Sequence, residues 1–279
     1  MLTASLSFTK SRVQYSLSNL FEALGVARVS LPRWGWLAPT LIVLLAGVLR
    51  FYNLAHPNAI VFDETYYAKD AYSYLHYGYE VSWSSGVDHA FASGDFSGIL
   101  PNSPEYVVHP PLGKWMIAWG MAIFGENAFG WRVSAAIIGT LAVALLVAGW
   151  LMFRSVTVAS IAALLGAVDG LMFVESRLAL LDIFQMFWIL ATFVCLLLDR
   201  QTARRRLAAN VMKIVDAHGE SGLQKVVFGP GSGLHLWRLA AGICAGAAVA
   251  VKWNSLFFIA AMGVLTVFWD MNARRILGL

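Results

Sequence analysis

Two adjacent carboxylates, Asp63 and Glu64, stand in the stretch Ile60 to Gly78, IVFDETYYAKDAYSYLHYG, directly after one apolar segment and before a tyrosine-rich one. Acids at the edge of a bilayer are costly unless they are hydrated, paired or used. A free carboxylate there can act as a general base and take a proton from an attacking hydroxyl. Asp63 equally suits the N-cap of a helix running from Glu64 onward, with Glu64 at the positive helix end. The two roles are compatible, so the surroundings have to weigh them.

Charged residues recur beside the other apolar runs: Arg50, His109, Lys114, Arg132, Asp169, Glu175, Arg177, Asp182 and Lys252. A carboxylate beside several cations at a membrane edge suits group transfer from a lipid-linked phosphate. The cations neutralise the departing phosphate while the carboxylate accepts the proton. Plainer roles compete: Arg50 and Arg132 also suit snorkelling anchors, and Glu175 with Arg177 a helix-end pair. Lys252, alone between two short apolar runs, is harder to explain as an anchor.

The chain that must position these groups has 279 residues, of which 59% are hydrophobic and 13% charged. Its mean hydropathy is +0.66, the composition of a polytopic membrane protein. Residues 1–35 form a basic tail with Lys10, Arg12, Arg28 and Arg33 against the single acid Glu22. The apolar run behind it is long and lacks a small-residue cleavage site, so it reads as a signal anchor with a cytoplasmic start. The first span covers 36–54, which puts Asp63 and Glu64 outside.

Residues 55–130 then form a large outer loop with two interfacial helices. In the first, Tyr67, Ala71, Tyr74, Leu75 and Gly78 fall at helical spacing and suit the headgroup level. Residues 81–105, rich in Ser, Gly, Asp and Pro, read as a flexible connector. The apolar stretch in HPPLGKWMIAWGMAIFG, from His109, is about 15 residues long, short for a crossing and in the range of an interfacial helix. If it does not cross, Arg154, the cluster Arg200, Arg204, Arg205 and Arg206, and the pair Arg274 and Arg275 all fall on the cytoplasmic side, as the positive-inside rule asks. Spans 2 to 4 then lie within 131–198, a cytoplasmic loop covers 199–235, spans 5 and 6 lie within 236–270, and 271–279 is a cytoplasmic end. This parity gathers the chemistry-bearing charges on the outer face.

Several classes are excluded by what the chain contains. Its net charge of +4 is spread in short clusters between apolar runs, a pattern of membrane orientation rather than nucleic-acid binding. Cys195 and Cys244 lie inside apolar segments as small buried hydrophobes. No metal-ligand spacing, Gly-rich phosphate loop, nucleophile elbow or internal repeat is present. Transporters place their charges near the midplane on broken helices, which disfavours a transporter or a non-catalytic membrane subunit.

The run RFYNLAHPNAIVFDETYYAKDAYSYL from Arg50, HPPLGKW from His109, the WR at Trp131 and Arg132, ESRLALLD from Glu175 to Asp182 and AVKWNSLFF around Lys252 together resemble protein O-mannosyltransferases of the bacterial, actinobacterial type. The resemblance covers roughly residues 36–270. It implies an all-α integral membrane fold, the GT-C glycosyltransferase module with a large helical first outer loop. It also implies transfer of mannose from polyprenyl-phosphate mannose to Ser or Thr of exported proteins emerging from the secretion machinery, with membrane lipid around it. The lipid-linked sugar is a co-substrate, and no cofactor or metal is implied. By position, Asp63 is the catalytic base and Glu64 its acidic neighbour, while Arg50 and Arg132 match arginines the family needs. His109, Lys114, Glu175, Arg177, Asp182 and Lys252 fall in the motifs that would face the substrates. A transferase of another sugar from a polyprenyl phosphate to lipid or glycan is the alternative. Val107 stands where many eukaryotic members have Asp, so that acid's role does not transfer. Family members also continue with further spans, so the chain looks like the amino-terminal part of an enzyme.

Overall fold

The computed structural model describes residues 17–26, 33–219, 221–224 and 230–277. Much of the basic tail, Lys10, Arg12 and Arg28 included, lies outside the described residues. The chain divides into two compact units, one of Val29–Leu198 with Leu236–Thr266, the other of Met1–Arg28, Asp199–His235 and Val267–Leu279.

In the second of these units, helix α1 (Leu17–Ala23) places Leu20 and Leu24 in a small core with Leu207, Ala208, Val211 and Ala273. The sequence pattern predicts a loop over 199–235. Instead the helix that begins at Leu181 runs unbroken to His218. The sequence DRQTARRRLAANVMKIVDAH is rich in helix formers, and Ala203, Leu207, Ala208 and Val211 line one buried face of it. Arginine density marks which side of the membrane a segment occupies, not whether it is helical.

The larger unit begins with a 3-10 turn at Arg33–Trp36 and helix α2 (Leu37–Phe51). Helix α3 (Glu64–Tyr77) ends at Gly78, whose φ of +80° closes the helix in the left-handed region. Between Val81 and Pro104 the expected flexible connector is ordered. Strand β1 (Val81–Trp83) pairs antiparallel with β2 (Ile99–Pro104) around the short helix α4 (Asp88–Ala92). Its anchor is aromatic: Phe91 is fully buried, with Trp83 at 5.3 Å, Phe96 at 5.2 Å and Trp131 at 5.6 Å between ring centroids. A few large rings buried against the helices outweigh a Ser- and Gly-rich background. The fold is therefore predominantly helical with one small sheet among the described residues.

Helix α5 (Leu112–Phe124) follows the HPP turn. At 13 residues it is about 20 Å long, shorter than a hydrocarbon core. It lies close on helix α6 (Ala128–Val147): a Cβ on Gly120 would meet the Gly130 carbonyl oxygen at 2.5 Å and Ser134 Oγ at 2.7 Å. Asn127 starts α6, its Oδ1 accepting from the Phe129 and Gly130 amides at 3.0 and 3.1 Å. A short helix α7 (Trp150–Phe153) leads to α8 (Val156–Val168). The third apolar run does not continue straight: Asp169 breaks it and caps α9 (Gly170–Glu175), its Oδ1 accepting from the Met172 amide at 2.7 Å. Helix α10 (Leu181–His218) contributes its first part to this unit. After α11 (Ser221–Gln224), the chain returns through α12 (Leu236–Val251) and α13 (Ser255–Ile276).

Ala128–Phe153, Leu181–His218 and Ser255–Ile276 are long and apolar enough to cross a membrane, and four shorter apolar helices accompany them. The protein is a multi-pass membrane protein. The outward-facing apolar side chains fit that solvent: Leu41, Leu44, Val48, Leu165 and Phe257 are all exposed.

Candidate active site

Asp63 occupies the N-cap position of α3 but makes no capping bond. Its carboxylate has no hydrogen bond or ion pair among the described residues, and it is half-buried in the wall of a cavity of about 180 Å³ shared with Tyr67, Asp70, Glu105, His109 and Lys114. The residue before it, Phe62, has φ +54°, a left-handed backbone that costs a non-glycine residue about 1–2 kcal/mol. Capping therefore does not explain Asp63.

Glu64 is its opposite. It is fully buried and meets Arg132 twice, Nε donating to Oε1 at 2.8 Å and Nη2 to Oε2 at 2.7 Å. The amides of Val61 and Ala179 donate to its two oxygens at 3.0 Å each. No lone pair is left over for a substrate. Arg132 spends its remaining donors on the carbonyls of Pro57 and Ala59, each at 2.8 Å, and of Leu54 at 3.4 Å. The pair thus fixes the segment between α2 and α3, and through Ala179 the start of α10. Removing one partner of such a pair costs about 3–5 kcal/mol because the other is left buried and charged.

Two further arginines expected at the substrate bind backbone instead. Arg50 is fully buried and donates to the carbonyls of Ala46 and Ala167 at 3.3 Å and of Gly166 at 3.4 Å, joining α2 to α8. Arg177 donates to the carbonyls of Leu49 and Tyr52 at 2.8 Å, Arg50 at 3.2 Å and Asn53 at 3.3 Å. The last carbonyls of a helix have no partner within it, and Arg177 supplies one to α2 from elsewhere in the chain. Lys114 is likewise buried, between Asp70 at 2.9 Å and Glu80 at 2.6 Å. Tyr74 adds a hydrogen bond to Glu80 at 2.9 Å.

The other chemistry-bearing groups come together around Asp63. Burial, then the charges of Asp63, Asp182, Asp70 and Glu175, raises the Tyr67 phenol above its ordinary range. His109 is held below its usual value by burial, then by Lys252 and Lys114, against the opposing pull of Asp182 and Asp63. Burial, then Asp182, raises Glu175, with Lys252 opposing and Asp63 adding to the rise. Asp63, Tyr67, His109, Glu175, Asp182 and Lys252 thus share one electrostatic neighbourhood. Lys252 meets both oxygens of the exposed Asp182 at 2.7 Å. A second cavity, of about 460 Å³, runs from Asp169, Glu175 and Asp182 along the apolar side chains Leu171, Ile183 and Ile189. A Cβ on Gly113 would meet Leu181 at 2.7 Å and Val251 at 3.1 Å, so the absence of a side chain there lets α5 approach α10 and α12 and sets Lys252 beside the site. Among the described residues no group of three or more His, Cys, Asp or Glu could hold a metal ion.

The family model described as Dolichyl-phosphate-mannose-protein mannosyltransferase matches residues 40–213, a stretch that includes Asp63, Glu64, Arg132 and Asp182. The chain belongs to that family. It is 36% identical to the polyprenol-phosphate-mannose–protein mannosyltransferase of Mycolicibacterium smegmatis over 86% of this chain and 43% of that protein. It is 38% identical to the protein of the same name from Mycobacterium tuberculosis, over 86% of this chain and 42% of that one. A similarity at 31% identity extends to an undecaprenyl phosphate-alpha-4-amino-4-deoxy-L-arabinose arabinosyl transferase of Pseudomonas aeruginosa, over 60% of this chain and 28% of that protein. The chain spans about two fifths of the length of its mannosyltransferase relatives. In this cluster the sequence pointed to Asp63, His109, Glu175, Asp182 and Lys252. It missed Tyr67, Asp70 and Glu105, although Tyr67 and Asp70 follow Asp63 by four and seven residues and so lie on one helix face.

Proposed function

We propose that the chain carries the acceptor-activating part of a membrane mannosyltransferase. The enzyme moves mannose from polyprenyl-phosphate mannose to Ser or Thr hydroxyls of exported proteins, on the extracytoplasmic face. The observation that carries this is the contrast between neighbours: Glu64 is saturated by Arg132 and two amides, while Asp63 beside it has no partner among the described residues and stands at a cavity wall. A free carboxylate held in place by a rigid neighbour is suited to act as a base.

In the proposed step the acceptor hydroxyl oxygen attacks the anomeric carbon and its proton passes to Asp63. The bond from that carbon to the phosphate oxygen breaks, its electron pair stays on the polyprenyl phosphate, and the configuration inverts. Lys252 is the cation for the departing phosphate: Arg50, Arg132, Arg177 and Lys114 serve backbone carbonyls or buried carboxylates, whereas the ion pair of Lys252 is to a solvent-exposed acid and can be exchanged. Its partner Asp182 lines the larger cavity, whose apolar wall suits the first isoprene units. Glu64, Arg50, Arg132, Arg177 and Lys114 are positioning residues in this reading. The likeness to the Pseudomonas arabinosyl transferase supports a second reading with the same base and lipid phosphate but another sugar.

The test uses membranes containing the protein, a Thr peptide and polyprenyl phosphate bearing labelled mannose or, in parallel, labelled aminoarabinose. Mannosylated peptide supports the first reading. Transfer of the other sugar alone supports the second, and transfer of neither removes both.

A further inference from the structure

The hydroxyl that Asp63 deprotonates must come within about 3 Å of its carboxylate. Given the function proposed above, the accepting Ser or Thr therefore enters the cavity of about 180 Å³ that Asp63 lines. That space is large enough for the accepting side chain and part of a neighbour. Its lining is electrically one-sided. The one cation in its lining, Lys114, is consumed by ion pairs to Asp70 and Glu80, leaving Asp63 and Glu105 without a cation in the lining.

Two acids of the lining are built to meet something. Asp70 is 3% exposed, and while one of its oxygens faces Lys114, the other, Oδ1, is buried and meets no donor. A buried carboxylate oxygen without a donor is expensive unless a ligand or water supplies one. Glu105 lies beside it, half-buried, on a backbone fixed by its own amide donating to the Glu80 carbonyl at 3.0 Å. Burial and then Glu80 raise the Glu105 carboxyl above the ordinary carboxylate range, while Lys69, Lys114 and the contact with Asp70 pull it down. The chain then turns outward at Tyr106, which is 86% exposed and borders the cavity mouth.

We propose that Asp70 and Glu105 form an anionic subsite that takes the ammonium or guanidinium of a residue flanking the accepting Ser or Thr, and that Glu105 sets a preference for basic over acidic flanks. A cationic side chain brings the donors that Asp70 Oδ1 lacks and the charge that Glu105 lacks. An acidic flank meets the carboxylates of Glu105 and Asp63 in a confined space whose one cation is already paired, which repels the wrong partner.

The test uses the protein in neutral phosphatidylcholine nanodiscs, so that the lipid does not select cationic peptides, and capped peptides identical except for Lys, Gln or Glu beside a central Thr. Equilibrium binding by fluorescence anisotropy is measured without donor, and kcat/KM for mannose transfer with it. Binding is expected to favour Lys over Glu by about tenfold, with Gln between, and the Glu105→Gln variant is expected to reduce that ratio to about threefold or less. Because Glu105 is half-exposed, this variant retains the fold, which an unfolding midpoint close to that of wild type verifies. Equal binding of the three peptides, or an undiminished ratio in Glu105→Gln, overturns the subsite. A binding preference without transfer to any peptide keeps the subsite and removes the mannosyltransferase reading instead.

Discussion

The Arg132 guanidinium grips Glu64 through Nε to Oε1 at 2.8 Å and Nη2 to Oε2 at 2.7 Å, one residue from an Asp63 carboxylate that has no partner among the described residues. Two acids adjacent in sequence therefore face different physics. One carries the energy of a buried bidentate pair, and the other is held still by its neighbour while its own oxygens stay available. Their substitutions should separate cleanly.

Glu64→Gln removes the charge that Arg132 needs and should lower stability by about 3–5 kcal/mol, visible as a fall in the detergent unfolding midpoint. Asp63→Asn should leave that midpoint within the equivalent of about 0.5 kcal/mol while reducing mannose transfer about a hundredfold or more. An Asp63→Asn protein that transfers at near-normal rate would end its assignment as the base.

The sequence made these charges conspicuous but not their employment. Arg50, Arg132 and Arg177 stood out as cations beside apolar runs, and a cation near a lipid phosphate is an obvious reading. Their acceptors are mostly backbone carbonyls, which every residue carries and which no residue pattern advertises. Arg177 reaches the end of α2 across more than a hundred residues of chain, and only the folded arrangement brings them together. Lys252 was legible because nothing near it in sequence balances it. Glu105 was not, since its place beside Asp70 depends on the sheet pairing of 81–104, and the scattered rings that hold that sheet were diluted by Ser and Gly.

The topology can be read with single cysteines in exposed positions. Ser103 is exposed on β2 and Ala217 near the end of α10. With the HPPL helix in the interface rather than across it, Ser103→Cys should be labelled by an impermeant maleimide added outside intact cells, and Ala217→Cys only after permeabilisation. Labelling of Ala217→Cys from outside would mean that α5 crosses and the parity is reversed.

Burial raises the Asp70 carboxyl from 3.8 to about 7, against the opposing pull of Lys114. In the unfolded chain the group ionises near 3.8, so between that pH and about 7 the folded state holds a proton that the unfolded state has released. Stability from this group is therefore fully present below about pH 4, is lost as pH rises toward 7, and changes no further above it. Asp70→Asn removes the titration. The unfolding midpoint of the variant relative to wild type should climb from pH 4.5 to 7.5, whatever offset the lost Lys114 contact imposes. A difference that is flat or falls across that range would show that Asp70 is ionised throughout.

Lys252 is held by both oxygens of an exposed Asp182, which lines the larger cavity. A hydrated ammonium on a flexible stem is a point charge suited to a phosphate, and it matters most as negative charge builds on the leaving oxygen. Lys252→Ala should raise the apparent KM for the polyprenyl donor and lower kcat, leaving the KM for a Thr peptide little changed because the acceptor meets Asp63 in the other cavity. Lys252→Arg should retain part of the activity, since the charge survives although its shape does not. Asp182→Asn provides the control on aiming: the ammonium remains but loses its ionic partner, so donor binding should weaken less than in Lys252→Ala. Should Lys252→Ala instead raise only the peptide KM, the lysine belongs to the acceptor and the phosphate must be met by another group.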